Sequence, residues 1–164
     1  MKLFEKTGKM ALGTRLRLLT AKVTEDAARI YELYNVEFSP KWFPVLFVLG
    51  QDGEKPITEI ADEIGHSQPS VSKIVKEMIV AGLVQEKRKS VDKRRNLVAL
   101  STKGQAISKR IEIICSDIDI VIENINSEAQ HNLWEAIAEW ELLLAHKSLL
   151  GRVEEQKKLR EGKN

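Results

Sequence analysis

Cysteine is almost absent from these 164 residues, and Cys115 stands alone. One thiol cannot close an intramolecular disulfide, so the chain is expected in a reducing, cytoplasmic compartment. Long apolar runs are missing too, and nothing in the sequence is long enough to span a membrane. The opening segment, Met1-Lys2-Leu3-Phe4-Glu5-Lys6-Thr7-Gly8, is too polar for a signal peptide. Histidine is scarce and scattered, at His66, His131 and His146, without His-Glu-x-x-His or Cys-x-x-Cys spacing. No metal site is therefore expected. A nucleophile paired with a base and a glycine-rich phosphate loop are both lacking. Asp117 and Asp119 lie two apart on a helical pattern and do not converge as an acid–base pair. Neither an enzyme nor a cofactor is expected.

What the chain does have is a soluble, globular composition in a length that fits one domain. Its charge is nearly balanced, at +2 overall, but unevenly placed. Between Lys87 and Arg95, six side chains are cationic and only Asp92 is anionic, a net +5, which leaves −3 for everything else. A basic loop beside short strands is what a phosphate-tracking hairpin needs, because each cation placed on a phosphate releases condensed counterions. A solvated charge run is the plainer alternative.

Hydrophobic spacing predicts the elements. Leu12, Leu16, Leu19, Val23, Ala27, Ile30 and Tyr34 form one helical face over residues 10–34. Ser39-Pro40 opens a second helix, to about Leu49, apolar nearly all round and so expected to be buried. Gly50 to Gly53 reads as a turn. A short helix from Thr58, its expected N-cap, to Ile64 is closed by Gly65. Ser67 caps the next helix, with a stripe at Val71, Ile74, Val75, Met78 and Ile79 and a stop at Gly82. Two short strands, Leu83 to Arg88 and Asn96 to Leu100, flank the basic loop. A long isoleucine-rich helix runs from Ser101 or Thr102 to about Ile125. Ser127-Glu128-Ala129-Gln130 reads as a capping box opening a last helix with a stripe at Leu133, Ile137, Trp140 and Leu144. Gly151 is expected to end the ordered part, leaving 152–164 as a charged, frayed or partner-contacting tail.

Helix, tight turn, helix and hairpin in that order make a helix-turn-helix followed by a wing. The second helix would enter a major groove with its N-terminal residues against base edges. Its polar face offers Ser67, Gln68, Pro69, Ser70, Ser72, Lys73 and Lys76. The small hydroxyls permit close approach, Gln68 can pair with adenine, and Lys73 or Lys76 can reach guanine or phosphate. An ordinary hydrated amphipathic face remains the alternative for this helix alone.

From Thr58 to Gly104 the chain resembles the winged helix-turn-helix of the MarR family of bacterial transcriptional regulators. The resemblance is carried by Ile57-Thr58-Glu59-Ile60-Ala61, by Ser67-Gln68-Pro69-Ser70-Val71-Ser72-Lys73-Ile74-Val75 and by Ala81-Gly82-Leu83-Val84. The family's wing signature appears as Asp92-Lys93-Arg94 and Leu100-Ser101-Thr102-Lys103-Gly104, with Ser101 in place of the usual Thr and Arg95 where a small residue is common. The resemblance implies a mainly α fold with a small two- to three-stranded β wing, dimerised through N- and C-terminal helices. Residues 10–50 and 101–150 would supply the dimerisation helices and 55–100 the DNA-binding lobe. It implies a homodimer on a pseudo-palindromic duplex operator, acting as a repressor more than an activator. Lys87, Arg88, Lys89, Lys93, Arg94 and Arg95 would follow the backbone, with Arg94 in the minor groove and Asp92 orienting it. Leu12 to Leu16 and Ser39 to Pro44 are similar to a subgroup often fused to a GNAT-type acetyltransferase; the chain is too short for that domain, and acetyl transfer is not expected.

Tyr31, Tyr34, Trp42, Phe43 and Phe47 gather near the junction of the first two helices. They read either as core at the dimer base or, as the resemblance implies, as a pocket for a small lipophilic or aromatic effector. Some family members sense oxidants through a cysteine near the first helix; Cys115, in the long fifth helix, is expected to be a packed thiol instead. The alternative function is a winged-helix adapter whose basic wing meets an acidic protein. On the DNA-binding reading, Arg94→Ala weakens operator binding severely while the dimer stays folded, and unchanged affinity in a gel-shift titration would contradict it.

Overall fold

The computed structural model describes residues 2–87 and 97–162, with side chains from residue 4. The chain divides into two compact units, Met1–Cys115 and Ser116–Asn164. The first opens with α1 (Lys2–Thr7), a 3-10 turn (Gly8–Ala11) and α2 (Leu12–Leu33). Asn35 ends α2 with φ 52°, and Val36 N–H donates back to the Tyr31 carbonyl at 2.8 Å. Arg110 donates from Nη2 to the carbonyls of Tyr34 and Asn35, at 2.7 and 3.1 Å, satisfying oxygens that the helix end leaves open.

The expected Pro40–Leu49 helix is split. Pro40–Trp42 is a 3-10 turn, and α3 runs from Phe43 to Asp52. Pro44 has no N–H to donate to the Pro40 carbonyl, so a continuous α-helix cannot cross it. The Phe43 N–H takes that carbonyl in the tighter 3-10 manner, and Ser39 makes no capping bond. Val45, Leu46, Val48 and Leu49 are buried, but Phe47 is 52% exposed, so α3 is not covered all round. Gly50 to Asp52, expected as a turn, belongs to α3, and Gly53 at φ 80° makes the break.

Lys55–Pro56 forms β1, which pairs with β3. Pro56 therefore occupies the N-cap position of α4 (Ile57–Glu63), and Thr58 lies inside the helix rather than capping it. Pro56 can hold this place because an edge strand has no need of its missing donor. After α5 (Gln68–Val80), β2 (Val84–Lys87) and β3 (Leu97–Leu100) complete an antiparallel sheet in the order β1-β3-β2. Val71, Val75 and Met78 of α5 pack into the core with Ile60 of α4 and the fully buried β3.

α6 (Thr102–Glu128) begins in the first unit, where Ile111 and Ile114 are buried. Gly104 sits against the turn between α5 and β2: a Cβ built on it would lie 2.0 Å from the Leu83 carbonyl oxygen. Ser101 binds both sides of this joint. Its Oγ donates to the Gly82 carbonyl at 2.6 Å and accepts from the Gly104 N–H at 3.0 Å.

The second unit corrects two expectations. Ser127 does not open a new helix; it lies inside α6 and donates to the Asn124 carbonyl at 2.7 Å. The working cap is Asn132, whose Oδ1 accepts from the Glu135 N–H at 3.2 Å and starts α7 (Leu133–His146). Gly151 does not end the ordered chain either. Ser148 caps α8 (Leu149–Glu161) by accepting from the Gly151 N–H at 3.2 Å. Arg152 then donates to the Leu143 and Lys147 carbonyls, joining the start of α8 to the end of α7. The charged residues treated as a tail thus form a helix, its first turn anchored by a cap and a guanidinium. Gly104→Ala is expected to destabilise the fold by about 3 kcal/mol or more, the upper range of overpacking costs, because a backbone carbonyl cannot swing aside as a side chain can; a thermal melt of the variant measures it.

Candidate nucleic-acid interface

α4 and α5 are joined by a four-residue turn built on one C-capping device. Gly65 at φ 65° reverses the chain, its N–H donating to the Asp62 carbonyl at 3.3 Å, while the His66 N–H donates to that of Ala61 at 3.0 Å. The left-handed conformation costs glycine little. Ser67 then takes an extended N-cap conformation and shares a 2.8 Å hydrogen bond with the Ser70 hydroxyl instead of a backbone N–H. Gln68, Pro69, Ser70, Lys73 and Lys76 are exposed and Ser72 half-buried, all turned from the Val71, Val75 and Met78 core stripe. The first turn of α5 therefore presents small hydroxyls, an amide and open N–H donors at the positive end of a helix dipole. That combination suits phosphate oxygens and base edges.

α5 ends as α4 does. Gly82 at φ 74° donates to the Ile79 carbonyl and the Leu83 N–H to that of Met78, both at 2.9 Å. Lys103 from α6 donates to the Ala81 carbonyl at 2.9 Å. The sheet begins immediately, in the register Val84↔Leu100, Gln85↔Ala99, Glu86↔Val98 and Lys87↔Leu97. Lys87 is exposed at the end of β2. Arg88, Lys89, Asp92, Lys93, Arg94 and Arg95 lie outside the described residues.

A contact the sequence did not announce ties α5 to the 3-10 turn ahead of α3. Trp42 Nε1–H donates to Glu77 Oε2 at 3.0 Å, and Lys41 Nζ meets the same oxygen at 2.7 Å. These bonds, first that of Lys41 and then that of Trp42, hold the Glu77 carboxyl below its ordinary range, with the Lys73 charge adding to them. Trp42 also stacks edge-on against Phe38, at 5.7 Å between centroids, and Phe38 against buried Tyr31 at 5.1 Å.

The five aromatic residues proposed for an effector pocket fall into separate groups. Tyr31 and Trp42 are bridged by Phe38, which sequence reasoning had not singled out. Tyr34 is half-buried at the end of α2. Phe43 and Phe47, 5.8 Å apart, line a cavity of about 140 Å³ with Leu46, Ile111 and Cys115. A larger cleft of about 440 Å³, missed in the sequence, opens between the end of α3, the sheet and α6, with Glu54, Lys87, Lys109 and Glu112 around it. Among the described residues, no three His, Cys, Asp or Glu side chains are grouped so as to hold a metal ion, and no helix is long and apolar enough to cross a membrane.

Comparison with known proteins agrees with this arrangement. The model of the MarR family matches residues 37–95. The transcriptional repressor CouR, solved on a 23-mer DNA duplex, is similar with a TM-score of 0.66 and 21% identity, over 85% of this chain and 96% of that one. NMB1585, a MarR family regulator from Neisseria meningitidis, gives 0.56 and 17% over the whole of both chains. The PcaV transcriptional regulator from Streptomyces coelicolor, solved with its natural ligand, gives 0.60 and 16% over 87% and 95%. At these identities the likeness is one of fold. No curated protein matches the chain at a significant level.

Cys115 is half-buried beside the smaller cavity. Burial and then the nearby Glu112 charge push its thiol above the ordinary cysteine range. Less thiolate is then present at neutral pH, so Cys115 is expected to alkylate more slowly than free cysteine, catching up only as pH rises. Timed iodoacetamide labelling across pH measures this, and labelling faster than free cysteine would contradict it.

Proposed function

We propose that the chain is a regulator of the MarR family, whose model matches residues 37–95, and that it is a cytoplasmic homodimer that binds a pseudo-palindromic operator and controls transcription, with repression as the expected sign. One observation carries the reading: the first turns of α5 turn Gln68, Ser70, Lys73 and Lys76 outward together, directly ahead of a sheet that launches the basic loop. Major-groove reading falls to Ser67 through Lys76. Backbone tracking falls to Lys87 and the loop after it, with Arg94 in the minor groove and Asp92 aiming it.

Dimerisation is supported by apolar rows that a single chain leaves uncovered. Leu12, Leu16, Leu19 and Val23 of α2 are exposed, and so, in the second unit, are Leu133, Ile137, Trp140 and Leu144 of α7. Contiguous apolar surface of this kind marks a protein contact. Residues 10–50 and 101–150 would supply that contact, and α8 extends the helical part beyond it. A two-fold dimer would set its two α5 helices on half-sites about 34–36 Å apart.

The effector is a small lipophilic or aromatic molecule. The cavity at Phe43 and Phe47 is near the size at which an apolar cavity holds a benzene ring. PcaV, of similar fold, is solved with a natural ligand, which makes a ligand-responsive mechanism reasonable for this chain. No catalysis is assigned to it.

Selection of bound duplexes from a random pool tests the function. A two-fold symmetric sequence should emerge, outcompeting random duplex by roughly 10³-fold or more, and binding should weaken steeply with salt. Lys73→Ala or Ser72→Ala should change which operator variants are preferred. A flat salt response with no enriched sequence would instead favour an adapter that binds protein.

A further inference from the structure

Glu77 is the one acid on α5, the helix proposed to read DNA, and it lies one turn after Lys73. Residues four apart on a helix are neighbours, and a lysine and a glutamate so placed attract each other. Left to itself, Glu77 would compete with a phosphate or a guanine for the Lys73 ammonium. In the structure the Lys73 charge still acts on the carboxylate, but its hydrogen bonds go elsewhere, with a single oxygen accepting from both the Trp42 indole at 3.0 Å and the Lys41 ammonium at 2.7 Å. Both donors come from the 3-10 turn ahead of α3. That turn is itself held by the edge-on contacts from Trp42 through Phe38 to Tyr31 of α2.

We propose that Lys41 and Trp42 sequester the Glu77 carboxylate and so keep Lys73 free for DNA, which makes Glu77 a conditional inhibitor of the recognition helix and the 3-10 turn its keeper. The proposal rests on the DNA-binding reading above and adds a regulatory contact to it. Any movement of Trp42 relative to α5 would release Glu77 toward Lys73 and lower affinity without moving a base-contacting residue. Lysine ahead of glutamate is the weaker order for such a pair, so the effect is a modulation rather than an on–off switch.

The test is a double-mutant cycle on the full chain, read by fluorescence anisotropy on the selected duplex over a salt series. Lys41→Met should weaken binding about fourfold, twofold for each recognition helix of a dimer, from the size of an i,i+4 pair. Its salt dependence should also become shallower as Lys73 is partly withdrawn. Lys41→Arg should bind as the unaltered chain does. Glu77→Gln should change the unaltered chain little and restore Lys41→Met. If Lys41 instead contacts DNA itself, or Glu77 merely braces α5, then Glu77→Gln will gain no more in the Lys41→Met background than outside it, and the proposal fails. Circular dichroism melts of each variant separate these outcomes from unfolding. An unaltered chain that binds no duplex would overturn the DNA-binding reading itself, before the cycle begins.

Discussion

The backbone of Gly104 lies so close to the Leu83 carbonyl that no side chain fits between them, and the meeting of α5, the sheet and α6 depends on that approach. Three elements meet there. α5 ends at Val80 and the chain reverses at Gly82, β2 begins at Val84, and α6 starts at Thr102. Ser101 locks the joint by donating to one side and accepting from the other. Because the carbonyl also accepts from the Ser101 N–H at 2.9 Å, the end of the proposed recognition helix, the base of the wing and the first turn of the long helix share one small set of hydrogen bonds. An error in any of the three would be passed to the others.

The same economy recurs at the helix ends. α2, α4 and α5 each finish with a left-handed residue, Asn35, Gly65 or Gly82, and a backward bond from the residue after it. In α2 and α5 that following residue, Val36 or Leu83, is also buried, so the cap and the core are made by the same residues. After α4 it is His66, which is exposed and donates from Nδ1 to the Ile64 carbonyl at 2.9 Å. The helix-turn-helix corner is thus set by hydrogen bonds, leaving the surface over it polar and open.

Much of this was legible beforehand because it is local. Apolar spacing marked α2, α5 and α6, glycines marked the ends of α4 and α5, and the Leu100 to Gly104 run marked the joint behind the wing. The misplaced boundaries were those where two local signals compete. Ser127-x-x-Gln130 and Asn132-x-x-Glu135 both look like helix starts, and the isoleucine pattern of α6 carries the first inside a helix. Thr58 is a good cap by composition, but Pro56, paired into the sheet, already occupies the place. Gly151 looks like a stop until the Ser148 hydroxyl makes it part of a first turn.

The order of elements, the outward polar face of α5 and the concentration of cations from Lys87 onward are all written along the chain, since periodicity and charge are properties of neighbours in sequence. The sequence also carried the resemblance to the MarR family, whose model matches residues 37–95. It took the folded chain to show that Trp42 belongs with Glu77, 35 residues away, and that Phe38 joins Tyr31 to Trp42 while Phe43 and Phe47 pair apart from them. The physical reason is range. A helix face is written in steps of three and four, but which carboxylate a distant indole meets depends on how the 3-10 turn at Pro40 aims it, and no spacing along the chain encodes that angle.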